Sequence, residues 1–150
     1  MRVLIQRVLQ ASVVIDAKEH AAIRQGLLVL LGIEHTDTKE DIDWLCRKLI
    51  SLRVYSDADG KMNLDIKQVN GDILLVSQFT LHASTVKGNR PSYIRAARPE
   101  QAIPLYEQFI NELSILLEKP VKTGVFGADM KVSLINDGPV TIWMDSKQRE

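Results

Sequence analysis

From residue 3 to residue 15 the odd positions read Val3, Ile5, Arg7, Leu9, Ala11, Val13 and Ile15, with Gln6, Gln10 and Ser12 between them. That period of two predicts a long first strand with one buried face. A turn at Lys18, Glu19 and His20 follows, and Gly26 opens a continuous apolar run at residues 27–33, another strand signal. Between residues 38 and 52 the period becomes helical, with Ile42, Leu45, Cys46, Leu49 and Ile50 on one stripe. Residues 52–55 form a short strand before the turn residues Asp57, Ala58, Asp59 and Gly60. The run DILLVSQFTL, residues 72–81, reads as a central strand buried on both faces, extended through Leu81, so that Ser77 and Phe79 share one face and Gln78 and Thr80 the other. Pro99 suits the first turn of a second helix, which Tyr106, Phe109, Ile110, Leu113, Leu116 and Leu117 continue, and Pro104 predicts a kink or a broken first turn. Strands follow at residues 121–126, 130–136 and 140–145, with Asp137 and Gly138 as a hairpin turn between the last two. The order β-β-β-α-β-β-α-β-β-β predicts a mixed α/β fold with a largely β core and two helices covering one side, as a single domain over residues 1–150.

Three features do not fit a purely structural pattern. Arg7 sits on the apolar face of the first strand, where a desolvated guanidinium needs several acceptors. It either snorkels past the strand edge or bonds carbonyls there, or it braces a site. Ser77, Gln78 and Thr80 place two hydroxyls and an amide at the end of a buried strand, where each unpartnered group would cost about 1 to 3 kcal/mol. They either satisfy the following loop or line a site. Finally, residues 82–99 contain no acidic side chain but carry Lys87, Arg90, Arg95 and Arg98 with Tyr93 among them. This stretch is either a solvated loop or one that tracks phosphates and stacks a base.

Composition narrows the field. The chain has 45% hydrophobic and 25% charged residues and a formal net charge of zero, which argues against indiscriminate nucleic-acid binding and leaves room for a local basic patch. It has neither a run of 18 apolar residues nor signal-peptide architecture, so a cytoplasmic protein without membrane attachment is expected. The lone Cys46 belongs to the helical stripe and reads as core, and Trp44 points away from that stripe toward another element or a partner subunit. No spacing of His and Cys suits zinc, and the Asp57 to Gly60 turn fails as a calcium loop because Ile66 stands where the closing Glu belongs. No metal is expected.

Several words of the sequence resemble one family. IQRV (5–8), GLLVLLGI (26–33), GKMN (60–63), SQFTL (77–81), KGNRPS (87–92), TGVFGADM (123–130) and NDGPVT (136–141) are similar, in order, to the D-aminoacyl-tRNA deacylases, and the resemblance runs to about residue 145. Two loops depart from the family pattern. The turn at residues 16–20 lacks a glycine, and His82, Ala83 and Ser84 replace a small residue followed by Asp. The resemblance implies a fold of two β-sheet layers with helices on one side. It also implies a homodimeric, cofactor-free hydrolase of the ester joining a D-amino acid, or glycine, to tRNA, with no membrane or DNA partner. By motif, Ser77, Gln78, Phe79 and Thr80 would form the catalytic centre. Gly138 and Pro139, joined by a cis peptide, would enter the partner's pocket as a chiral filter, Arg7 would brace them, and Met130 and Ala102 would line the pocket. Lys87, Arg90, Arg95 and Arg98 would meet the tRNA.

An ester needs only a positioned nucleophile and a stabilised oxyanion, for which backbone N–H groups suffice. Threonine is a weak nucleophile without a base, and no His or Lys is an obvious one for Thr80. Water attack assisted by the substrate's 2'-hydroxyl, with the Phe79 N–H at the oxyanion, is therefore the expected route, and Thr80 as nucleophile is the alternative. A non-catalytic RNA-binding dimer and a purely structural dimerisation domain are the readings from other classes.

Overall fold

The structure, a computed structural model, describes residues 1–149. Its centre is the pair of apolar strands β3 (Gly26–Gly32) and β6 (Asp72–Ser77), which run parallel with Leu31 opposite Ser77. The long strand β1 (Arg2–Ile15) pairs antiparallel with β3 through its first half and with β2 (Lys18–Ile23) through its second. On its other side β1 pairs with β8 (Lys131–Asp145), while β7 (Lys122–Thr123) extends the far edge beyond β6. Because β3 is apolar from Leu27 to Leu31 and β6 from Ile73 to Val76, both of their faces must be covered. Leu27, Val29, Leu31, Ile73 and Leu75 pack under α1 (Lys39–Ser51) and α2 (Pro99–Leu117). Leu28, Leu74 and Val76 pack against Val8, Ala11, Val13 and Ile23, so the distal part of β1 with β2 and β8 forms the second layer. The fold is the expected mixed α/β one, with a sheet-dominated core and two helices on one side.

Helix α1 starts where Asp41 accepts from the Thr38 N–H at 2.8 Å, the N-terminal donor that most needs a partner. Ser146 and Lys147 also donate to Asp41, at 2.6 and 2.8 Å, tying the C-terminal segment to the helix. Burial opposes the charge on Asp41, but these bonds outweigh it and hold the carboxyl pKa at about 2. Cys46 is core, and burial pushes its thiol pKa up. Trp44 is half-buried beneath the Arg149 guanidinium, 4.8 Å from the ring centre.

Four expectations are corrected. The alternation in β1 breaks at Val8, which is buried, and Leu9, which is 53% exposed, because the register against β8 shifts twice between Gln6 and Gln10. The segment Asp137, Gly138, Pro139 and Val140 is no hairpin turn. It bulges out of one continuous strand β8, since Gln6 pairs with Thr141 and Val8 with Asn136. Helix α2 continues through Pro104, whose missing N–H frees only a carbonyl one turn back, in the first turn of the helix and on its exposed side. The strands placed at 52–55 and 121–126 shrink to β4 (Tyr55–Ser56) and β7, and β4 pairs with an unanticipated β5 (Met62–Leu64).

The β1–β2 hairpin turns on Asp16 and Ala17, at φ of 50° and 62°, between the paired residues Ile15 and Lys18, whereas Lys18, Glu19 and His20, expected as the turn, belong to strand β2. A two-residue turn of this hand favours glycine, and an L-residue pays about 1 kcal/mol for that conformation. Ala17→Gly is therefore expected to raise the unfolding free energy by about 0.5 to 1 kcal/mol in urea titration. An unchanged or lower midpoint would show that the turn is not under strain.

Candidate active site

Strand β6 delivers Ser77 to the end of its ladder, and the Gln78 N–H makes one further bond to the Leu31 carbonyl at 2.7 Å. There the chain leaves the strand and coils into a 3-10 turn, Phe79–His82. The strand-like alternation expected for Phe79 and Thr80 is thus replaced by a tight turn. Gly32 explains the change. A Cβ there would lie 2.9 Å from the Leu81 Cβ and 3.0 Å from the Gln78 carbonyl oxygen, so only glycine lets the turn close onto β3. Arg2 secures the same turn from β1, donating to the Leu81 carbonyl at 2.9 Å while its Nε meets Asp145 at 2.8 Å.

The turn leaves two backbone donors unspent. Among the described residues no acceptor takes the N–H of Phe79 or of Thr80, whereas Leu81 N–H bonds back to Gln78 at 3.3 Å. The Gln78 side-chain amide donates to the Thr80 hydroxyl oxygen at 2.5 Å. Among the described residues no basic side chain bonds to that hydroxyl, so the geometry supplies positioning and N–H donors rather than an activated alcohol.

A cleft of about 280 Å³ opens beside these residues. Ser77, Gln78 and Phe79 form one wall, with Thr80 just outside the lining, Ala102 and Met130 also line the cleft, and Phe126, Gly127, Ala128 and Asp129 close the other side. Of the motif at residues 123–130 the sequence predicts only Met130 at the pocket, and the structure adds this loop. Its glycine at φ 76°, Gly127, marks the bend, and this was the readable signal. Phe79 is 56% exposed at the mouth, edge to face with Tyr93 at 5.0 Å.

Arg7 is not part of this cleft. Its side chain is 11% exposed, its Nε donates to the Asp137 carbonyl at 3.0 Å and meets the Asp137 carboxylate at 3.1 Å, and its Nη1 donates to the Val54 carbonyl. Of the readings of Arg7, the bonding of carbonyls is what the structure shows, and one of those carbonyls belongs to the bulge carrying Gly138 and Pro139. The Gly138–Pro139 peptide is cis, and both residues are exposed. Arg7 is opposite Leu27 on β3 and Ser77 opposite Leu31, which sets bulge and cleft about 13 Å apart along that strand. One chain does not bring them together.

In the basic stretch, mutual bonds between Ser84 and Ser92 at 2.8 and 2.9 Å pinch off a tip that carries Lys87 and Arg90 into solvent. Arg98 is exposed at the start of α2. Arg95 differs, since it is bonded to the buried Glu34 carboxylate at 2.9 Å and much of its charge is spent there.

The family model described as D-Tyr-tRNA(Tyr) deacylase matches residues 4–145. The chain belongs to that family. Curated D-aminoacyl-tRNA deacylases of Bacteroides fragilis and Akkermansia muciniphila are each 63% identical to it over 150 residues, covering 100% of both chains. Among solved structures, a "c-Myc DNA Unwinding Element Binding Protein" superposes with a TM-score of 0.91 at 40% identity, covering 97% of this chain and 98% of the other. A probable eukaryotic D-amino acid tRNA deacylase shares the fold at a TM-score of 0.81 and 16% identity, covering 95% and 97%. Membership makes this chain an aminoacyl-tRNA hydrolase of the deacylase class. No helix of the described residues is long and apolar enough to cross a membrane.

Proposed function

We propose that this deacylase cleaves the ester of D-aminoacyl-tRNA, and of glycyl-tRNA, in the cleft beside Ser77, Gln78, Phe79 and Thr80. The observation that carries the reading is the pair of unspent N–H groups at Phe79 and Thr80, held on a turn fixed by Gly32 and Arg2. Donors already in place for a developing oxyanion stabilise the transition state without reorganising. Water attacks the carbonyl with help from the neighbouring ribose 2'-hydroxyl, because Thr80 has no base and its oxygen already accepts from Gln78.

Selectivity resides in the Gly138 and Pro139 bulge. In a homodimer the bulge of one subunit enters the cleft of the other, where its carbonyls take the substrate ammonium and its backbone leaves no room for an L side chain. The separation of bulge and cleft within one chain supports a site completed by a second copy. Exclusion by clash discriminates strongly, and a hydrogen atom passes it, so glycine is accepted. Lys87, Arg90 and Arg98 track tRNA phosphates, with Arg95 a lesser contributor, and the protein works in the cytoplasm as a single-domain enzyme without metal or cofactor.

The decisive experiment is hydrolysis of matched D-, L- and glycyl-tRNA by the purified protein. D- and glycyl-esters should turn over and the L-ester should not. Binding of all three without turnover would favour a non-catalytic RNA-binding dimer.

A further inference from the structure

We propose that His82 is a positioning residue for the turn carrying Phe79 and Thr80, and that it holds the turn in its working shape only while its imidazole is neutral. The inference rests on the cleft assignment above and adds a pH gate to it.

His82 closes the 3-10 turn and is 1% exposed. Among the described residues neither ring nitrogen has a partner in hydrogen-bonding geometry, an unusual condition for a buried imidazole. Its ring carbon Cδ2 would stand 3.1 Å from a Cβ on Gly32, so the ring packs at the place where the turn is pressed onto β3. The ring therefore works by shape, as a flat filler beneath the turn.

The charges around it decide what a proton would do. From β1 comes Arg2, already bonded to Leu81 and Asp145, and the Met1 ammonium stands nearby, bound to Asp37. From the segment after β3 comes Glu34, whose carboxylate is engaged by Arg95. The Gly32 backbone lies close enough to favour the charged ring, yet outside hydrogen-bonding geometry. Burial is the largest influence and, with Arg2 and Met1, it lowers the His82 pKa below the ordinary histidine value. The neutral form is thus the folded form at neutral pH. A protonated ring has two donors beside an arginine of like charge, and only the Gly32 backbone stands near enough to accept from either of them. It can be satisfied only by moving toward water, and it is covalently the last residue of the turn.

A merely structural histidine would lower stability when replaced and leave the shape of the pH profile alone. A positioning residue predicts more. On D-aminoacyl-tRNA, kcat of the unmodified protein should fall about tenfold per pH unit below the His82 midpoint, with KM nearly constant. His82→Leu, uncharged and apolar, should start from a lower kcat and stay flat across the same range. The His82 ring signals, followed by NMR in the unmodified protein, should titrate with the same midpoint as kcat and should move the Phe79 and Thr80 amide signals with them. An unchanged acid limb in His82→Leu would overturn the proposal. Should that variant not fold, separate midpoints for the ring and for kcat would overturn it equally. Absence of turnover at every pH, with the ring still moving the Phe79 and Thr80 amides, would instead count against the cleft assignment.

Discussion

Gly138→Ala should lower kcat/KM on D-aminoacyl-tRNA by about a hundredfold, because small displacements of a positioned group cost that much. Gly138 sits at φ 128°, where L side chains are strained, and an added Cβ would lie 2.9 Å from the Val140 Cγ2 and 3.0 Å from the Arg7 guanidinium. Val140 belongs to the bulge and Arg7 is its brace, so the new methyl pushes on both supports at once. The cleft itself, built from β6, the 3-10 turn and the loop at residues 126–130, contains none of these atoms. The variant should therefore stay folded, with an unchanged circular dichroism spectrum, while losing turnover and part of its rejection of the L-ester. Full activity together with full L-rejection would show that the bulge is not the filter.

The second large effect belongs to the substrate. A D-aminoacyl-tRNA ending in 2'-deoxyadenosine should react about 100- to 10,000-fold more slowly, the range that a positioned proton-transfer group supplies. Thr80→Val, which removes the hydroxyl and keeps the shape, should retain substantial activity on the natural substrate. The contrast follows from the turn: its two free N–H groups belong to the backbone and survive the substitution, whereas the Thr80 hydroxyl has no base to activate it. Single-turnover rates with both substrates and both proteins decide the matter. Abolished turnover in Thr80→Val, with an intermediate trapped on Thr80 in the unmodified protein, would install the threonine as nucleophile.

Much of this was legible in the sequence, for reasons that can be named. The helical stripe from Ile42 to Ile50 and the doubly apolar strands β3 and β6 follow from burial periodicity alone, which is local. Arg7 stood out because an arginine on an apolar face must find acceptors, and it finds the Asp137 and Val54 carbonyls. What escaped was set by partners distant in sequence. Phe79 and Thr80 continue a strand pattern, yet β3 has run out at Gly32, and a strand without a neighbour to bond coils away. Asp137 and Gly138 carry a hairpin signature, but β1 runs unbroken on the other side, and its long register absorbs the turn as a bulge. His82 was invisible as anything but a loop residue, because burial of a histidine after a polar strand end depends on Arg2, Gly32 and Glu34 all arriving from elsewhere.

The bulge has a second consequence. Among the described residues β8 pairs as a strand with β1 alone, so apart from the bridge of Asp145 to Gln148 the other side of this 15-residue strand presents a row of backbone donors and acceptors. Edges of that length template the pairing of further strands and invite aggregation. Pro139 interrupts the row near its middle with a residue that has no N–H to offer, and the four bulged residues throw the strand out of line on either side of it. The bulge proposed as the chiral filter thereby also breaks the edge along which separate chains could stack strand to strand.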